Sequence, residues 1–186
     1  YEILGWIRPL LEKLGFKAPP ELKVEEGTQY RLALLGFFRE ASSLLHKLEK
    51  DNPELVKETL VVDFNVALHD KIAATGATVK YGDLSNADTL HHLGLAQTQV
   101  ILCTIPDDVL RGIDNRSLVE LVREMAPSAV IIANAVSHDQ VEAIYEAGAN
   151  FVYMSRLEVA DTLSDAINQA LENQIDVYRE RRFEQH

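Results

Sequence analysis

Leu32-Ala33-Leu34-Leu35-Gly36-Phe37-Phe38-Arg39-Glu40-Ala41 decides the fold of this chain. The four apolar residues read as a buried strand, Gly36 as a tight turn, and the residues after it as a helix start. In the pattern G-x-G-x-x-G/A the first glycine permits the strand-to-helix turn. The second lets the backbone touch a pyrophosphate, and the third position lets helix and strand pack closely. Gly36 fills the first role and Ala41 the third, but Phe38 stands at the second. An aromatic ring therefore occupies the place where phosphate oxygens approach the backbone. About 20 residues further on, where such folds place a ribose-binding carboxylate, Leu60-Val61-Val62 ends in Asp63.

Working outward, strand and helix patterns alternate. Ala41, Leu44, Leu45 and Leu48 recur at helical spacing and predict a helix ending before Asn52-Pro53. Leu60 to Val62 is a second strand, Leu68 and Ile72 mark a short helix closed by Gly76, and Thr78 to Tyr81 is a third strand. A short helix over Ala87 to Leu93 stops at Gly94. Val100 to Ile105 is a continuous apolar run, as expected of a strand covered on both faces. Asp114 or Asn115 caps a helix whose core face is Leu118, Leu121, Val122 and Met125. Ala129 to Ala133 is strand five, and Ser137 with Gln140 reads as a capping box. Phe151 to Tyr153 is strand six, and a long helix runs from Ser155 to about Tyr178. The pattern predicts an α/β, Rossmann-like, doubly wound parallel six-stranded sheet, with an N-terminal connector helix and a long C-terminal helix. The expected organisation is a connector over 1–29, the nucleotide-binding fold over 30–154, and a C-terminal helix and tail over 155–186.

Composition narrows the function. At 186 residues, 47% hydrophobic and 25% charged, the chain has the balance of a soluble globular protein. A formal net charge of -11 speaks against binding nucleic acid or anionic lipid through a basic surface. The single cysteine, Cys103, sits in an apolar run and reads as an inert core thiol. The start at Tyr1 rather than Met, and Trp6, Ile7, Leu10, Leu11 and Leu14 at helical spacing, fit two readings. One is a packed N-terminal helix; the other is a connector to a larger protein, followed by a polar linker over Glu21 to Gly27.

Ligands of doubly wound sheets sit beyond the carboxyl ends of the strands, at the switch in strand order. The residues there are Gly36, Phe37, Phe38, Arg39 and Glu40; Asp63, Phe64 and Asn65; Gly82, Asp83 and Leu84; and Thr104, Ile105, Pro106, Asp107 and Asp108. Each acid has a plainer reading: Asp63 as a helix cap, Asp83 as turn chemistry, Asp107-Asp108 as a turn and cap. Arg39 faces either a phosphate or solvent. No catalytic constellation is evident. His91 and His92 are neighbours that do not share a helix face, no metal-ligand spacing occurs, and Ser42-Ser43 lacks a nucleophile-elbow frame.

These motifs, in this order, resemble a family. Gly36 to Ala41, Val-Val-Asp63, Tyr-Gly82-Asp83, Ile105-Pro106-Asp107-Asp108, Asn115 at a helix start and Glu146-Ala-Gly148-Ala-Asn150 are similar to the regulator-of-potassium-conductance, or TrkA-N, domain over roughly Tyr30 to Gln174. The resemblance extends to the cytosolic domain of Kef-like, glutathione-gated-type cation/proton antiporters. It implies a non-catalytic nucleotide sensor that forms a homodimer and gates a transmembrane antiporter domain of the same polypeptide at the cytoplasmic face of the bacterial inner membrane. By the same resemblance Gly36, Phe37, Phe38 and Arg39 match the phosphate turn, Asp63 the ribose acid and Asp83 the adenine-edge loop. Phe38 favours AMP or another adenine nucleotide over NAD(H). The competing expectations are an NAD(P)-dependent oxidoreductase and a dimerisation scaffold with a degenerate site.

Overall fold

Side chains alternate between the two faces of each strand, and here both faces are buried. Ala33 and Leu35 of β1 (Leu32–Leu35), with Leu60 and Val62 of β2 (Thr59–Val62), enter one core cluster. Leu32, Leu34 and Val61 enter the other. The computed structural model describes residues 29–106, 109–110 and 112–183. The remaining strands are β3 (Thr78–Lys80), β4 (Val100–Cys103), β5 (Val130–Asn134) and β6 (Phe151–Tyr153). All pair in parallel, in the order β3-β2-β1-β4-β5-β6. The chain builds outward from β1 to β3, then returns to pair β4 against the other side of β1. That reversal opens a crevice between the carboxyl ends of β1 and β4.

Helices cover both faces. On one side lie α1 (Arg39–Asp51), α2 (Pro53–Lys57) and α3 (His69–Ala73), burying Ala41 and Leu45, Val56, and Ile72 respectively. On the other lie α4 (Ala87–His91), α5 (Asn115–Met125) and α6 (His138–Glu146), burying Leu90, then Leu118, Val119 and Val122, then Ile144. Cys103 is fully buried among them, and burial pushes its thiol up to about 12. It is the inert core thiol expected.

The structure refines several expectations. Asn52, expected only to end α1, also starts α2: its side chain accepts from the Leu55 amide, and Pro53 suits the first helical position. The Ser137–Gln140 pair meets differently from a capping box, with Gln140 bonding the residue before the N-cap. Gln140 accepts from the Val136 amide, whereas the Ser137 side chain makes no cap bond. The long C-terminal helix is two helices, α7 (Ser155–Leu171) and α8 (Ile175–Phe183). Asn173, at φ 57°, turns the chain between them. No residue of α7 is buried, so its apolar stripe does not pack on its own sheet. The predicted N-terminal helix, the linker before Gln29 and the Asp107-Asp108 turn lie outside the described residues.

Candidate functional site

The turn after β1 is fixed by groups distant in sequence. Gly36 has φ +85°, and a Cβ there would lie 2.0 Å from Ile105 Cγ1, so only glycine fits against β4's exit. Its amide donates to the Val62 carbonyl at 2.8 Å. Its carbonyl accepts from the buried Thr104 hydroxyl, also at 2.8 Å. Thr104 therefore holds the turn rather than facing the crevice. Next to it, Asn115 donates from Nδ2 to the Ile105 carbonyl at 2.9 Å, fixing the segment that follows β4.

Asp63 is the centre of this arrangement. The residue is only 5% exposed. One carboxylate oxygen accepts from the Phe37 amide and the other from the Asn65 amide, each at 2.7 Å. Asp63 thus ties the end of β2 to the glycine turn. The helix-cap reading is corrected, because the side chain that caps the following 3-10 turn is Asn65, through the Ala67 amide. Each carboxylate oxygen has a second lone pair that these bonds leave open. Asp83 takes the turn-forming role: one oxygen accepts from both the Ser85 amide at 3.0 Å and its hydroxyl at 2.7 Å.

Above this frame α1 begins without a side-chain cap. The amides of its first turn lack intrahelical acceptors, and the helix dipole makes that end attractive to an anion. Arg39 is exposed, with its guanidinium 5.6 Å from the Phe38 ring centroid.

Three clefts border the turn; one of them, of about 430 Å³, runs along α1 between Phe37, Phe38 and Arg39 and the Leu68 and Lys71 side. Of the other two, the first, of about 420 Å³, is lined by Phe64, Tyr81, Asp83, Leu84, Ser85, Ile105, Val109 and Leu110. The second, of about 530 Å³, is walled by Phe38, Arg39 and Glu40 on one side and by Asn134, Ser155 and Arg156 on the other. Phe38 lines the second cleft and not the first. There the Ser155 hydroxyl donates to Glu40 at 3.1 Å, while the other Glu40 oxygen and the Tyr153 hydroxyl are buried without a hydrogen bond. Burial pushes the Tyr153 phenol above its ordinary range, and the Glu40 carboxylate and Cys103 add to the shift. The structure therefore brings Phe64, Asp83, Leu84 and Ile105 together, whereas Phe38 and Arg39 line the second cleft and the one along α1. Tyr81 in the first cleft, and Asn134, Ser155 and Arg156 in the second, were not singled out as site residues. A position at the end of a strand is the one signal that could have found Tyr81 and Asn134. Among the described residues no cluster of His, Cys, Asp and Glu could hold a metal ion. Nor is any described helix long and apolar enough to cross a membrane.

The strand order, the crevice and the acid that braces the glycine turn define a nucleotide-binding fold of Rossmann type. The chain belongs to the TrkA-N domain family, whose model matches residues 32–155. It is 28% identical over 134 residues to YbaL of Escherichia coli K12, named as a cation/proton antiporter, a match covering 72% of this chain and 23% of YbaL. The chain thus spans about a quarter of that relative's length. The crystal structure of the TrkA-N domain of YbaL superposes with a TM-score of 0.61 at 28% identity, covering 73% of this chain and 96% of that one. The GsuK channel bound to NAD gives 0.58 at 25% identity, over 80% of this chain and 26% of the channel. A Kef C-terminal domain from Shewanella denitrificans in AMP-bound form shares the fold at 17% identity, with a TM-score of 0.56 over 81% and 90% of the two chains. The resemblance to the TrkA-N family, and the doubly wound six-stranded parallel sheet expected with it, hold.

Proposed function

We propose that this chain is the regulatory, nucleotide-sensing domain of a monovalent cation (K+ or Na+)/proton antiporter. It performs no catalysis of its own and binds AMP or a related adenine nucleotide, with NAD(H) weaker. The observation that carries this reading is the position of Phe38. Phe38 lines the cleft on the β4–β6 side, where the second half of a dinucleotide would run, and the cleft along α1, but not the cleft lined by Phe64 and Asp83. The proposed adenosine lies in this last cleft. Asp63 accepts from ribose hydroxyls through its remaining lone pairs, and one phosphate meets the uncapped start of α1, with Arg39 at hand for a charge-assisted contact.

Titration calorimetry tests this. AMP binds the wild-type chain, and Asp63→Ala weakens it by roughly 1.5–3 kcal/mol, the scale of hydrogen bonds to a charged group. Because Asp63 also braces the turn, Thr104→Val is the control: it loosens the same turn without touching ribose. Equal weakening by both variants, or none by Asp63→Ala, contradicts the ribose role.

The proposed assembly is a homodimer at the cytoplasmic face of the bacterial inner membrane, with residues 1–29 as the connector to the antiporter domain and 155–186 as the dimerising segment. Two surfaces support it. On α7, Val159, Leu163, Ile167 and Leu171 form an exposed stripe, and Val130 and Phe151 leave the β5–β6 end of the sheet open. A two-fold pair in which each α7 packs on its partner buries them, as closed symmetry favours. Sedimentation equilibrium is expected to give a dimer, and Leu163→Glu with Ile167→Glu a monomer. A wild-type monomer well above micromolar concentration contradicts the pairing.

A further inference from the structure

The nucleotide reading leaves two aromatic rings without an explanation. Phe64 is 61% exposed and Tyr81 40% exposed, and both line the cleft assigned to adenosine. Neither contributes to the core, yet the backbone beneath each is anchored. The Asp63 amide donates to the Lys80 carbonyl at 3.1 Å and the Gly82 amide to the Asp63 carbonyl at 3.4 Å, so the loops after β2 and β3 are stitched side by side. Gly82 allows that approach: a Cβ there would lie 2.5 Å from Val62 Cγ1. Phe64 sits between Asp63 and Asn65, which are bonded to each other, and Tyr81 sits between the two residues that make the stitch. Leu84 and Ile105, both buried, complete the wall. Among the described residues no lysine or arginine lines this cleft, and its acid, Asp83, is bonded to the Ser85 amide and hydroxyl.

Resting on the nucleotide reading above, we propose that Phe64 and Tyr81 are a stacking platform that selects a purine base. A two-ring base offers more π face than a single ring, and anchored aromatics lose little freedom on binding it. The platform sets base class, while the α1 start and Asp63 handle phosphate and ribose whatever the base. UMP therefore binds more weakly than AMP, although its sugar and phosphate are alike.

The test uses the whole chain, AMP, UMP and the fluorescent analogue 1,N6-etheno-AMP. Phe64→Ala is expected to weaken AMP about 5- to 150-fold, the range that corresponds to about 1–3 kcal/mol of base–aromatic stacking. Phe64→Tyr retains affinity, and Tyr81→Leu follows Phe64→Ala. Etheno-AMP fluorescence is quenched on binding to the wild type and less so in Phe64→Ala and Tyr81→Leu. In both variants the preference for AMP over UMP narrows. Both rings are exposed, so thermal midpoints should hold and separate lost stacking from lost fold. Equal binding of AMP and UMP by the wild type, or unchanged AMP affinity in Phe64→Ala and Tyr81→Leu, overturns the platform and leaves the nucleotide site standing. No AMP binding by the folded wild type removes the nucleotide site and the platform together.

Discussion

The first and second clefts beside the Gly36 turn are made of different materials. In the first, the lining acid Asp83 is bonded to the Ser85 amide and hydroxyl, and Asp63, the residue before the lining Phe64, is bonded to the Phe37 and Asn65 amides. What faces its opening is largely apolar, with Phe64, Tyr81, Leu84 and Ile105. Around the second, one oxygen of Glu40 and the hydroxyl of Tyr153 are buried without hydrogen bonds, and Phe38 forms part of the wall. Buried polar groups left unpaired cost free energy, whereas a fully bonded frame is rigid before any ligand arrives. On the proposed reading, the difference teaches that one half of a dinucleotide frame can be kept as a preorganised receptor while the other half diverges.

The largest perturbation strikes the edge the clefts share. Gly36→Ala adds a Cβ against Ile105 at a left-handed φ. Left-handed strain of roughly 1–2 kcal/mol and overpacking of about 1–3 kcal/mol together lower stability by about 2–5 kcal/mol. Urea unfolding measures this, and Ile105→Ala in the same chain should recover the packing part only. A variant as stable as wild type would mean that the turn is not closed on β4.

A smaller effect separates the clefts. Phe38→Gly removes the ring from the second cleft, and NAD(H) affinity should rise relative to AMP by about tenfold, or ~1.4 kcal/mol. Parallel titrations read the ratio. An unchanged ratio means that the Phe38 ring is not what separates the two ligands.

The smallest effect lies away from both clefts and serves as a reference. Asp114 caps α5 through the Ser117 amide at 2.8 Å. Hydrogen bonds from Ser117, side chain first and then backbone, hold its carboxyl below the ordinary 3.8. A lowered folded pKa means that the stabilisation is complete above the unfolded value and is lost as pH falls through the folded one. Asp114→Ala should cost ~1 kcal/mol near neutrality. That gap should close in strong acid, with AMP affinity unchanged throughout. A gap that persists at low pH would show that the carboxylate charge is not its source.

Much of the fold was legible because burial on both faces writes itself as apolar runs, as in Leu32–Leu35 and Val100–Cys103. Turn glycines marked the breaks between them. The site was legible only as positions along the chain. That Asp63 would bond Phe37, 26 residues earlier, has no periodic trace. Nor does Arg123, whose guanidinium bonds the carbonyls of Gly148 and Ala129 and the Asn150 side chain, closing the loop before β6. Phe38 was read correctly as the odd residue, but which side of the turn its ring takes is set by backbone dihedrals that no residue type specifies. The break at Asn173 was hidden for a related reason: asparagine tolerates a left-handed turn without announcing one.

The central claim is that the cleft lined by Phe64 and Asp83 suits a mononucleotide and the second one, lined by Phe38, does not suit the rest of a dinucleotide. Calorimetric titration of the wild-type chain with AMP and with NAD(H), under one buffer and salt condition, tests it most directly. The account predicts saturable binding of AMP with the lower Kd. Tighter binding of NAD(H) than of AMP would contradict it.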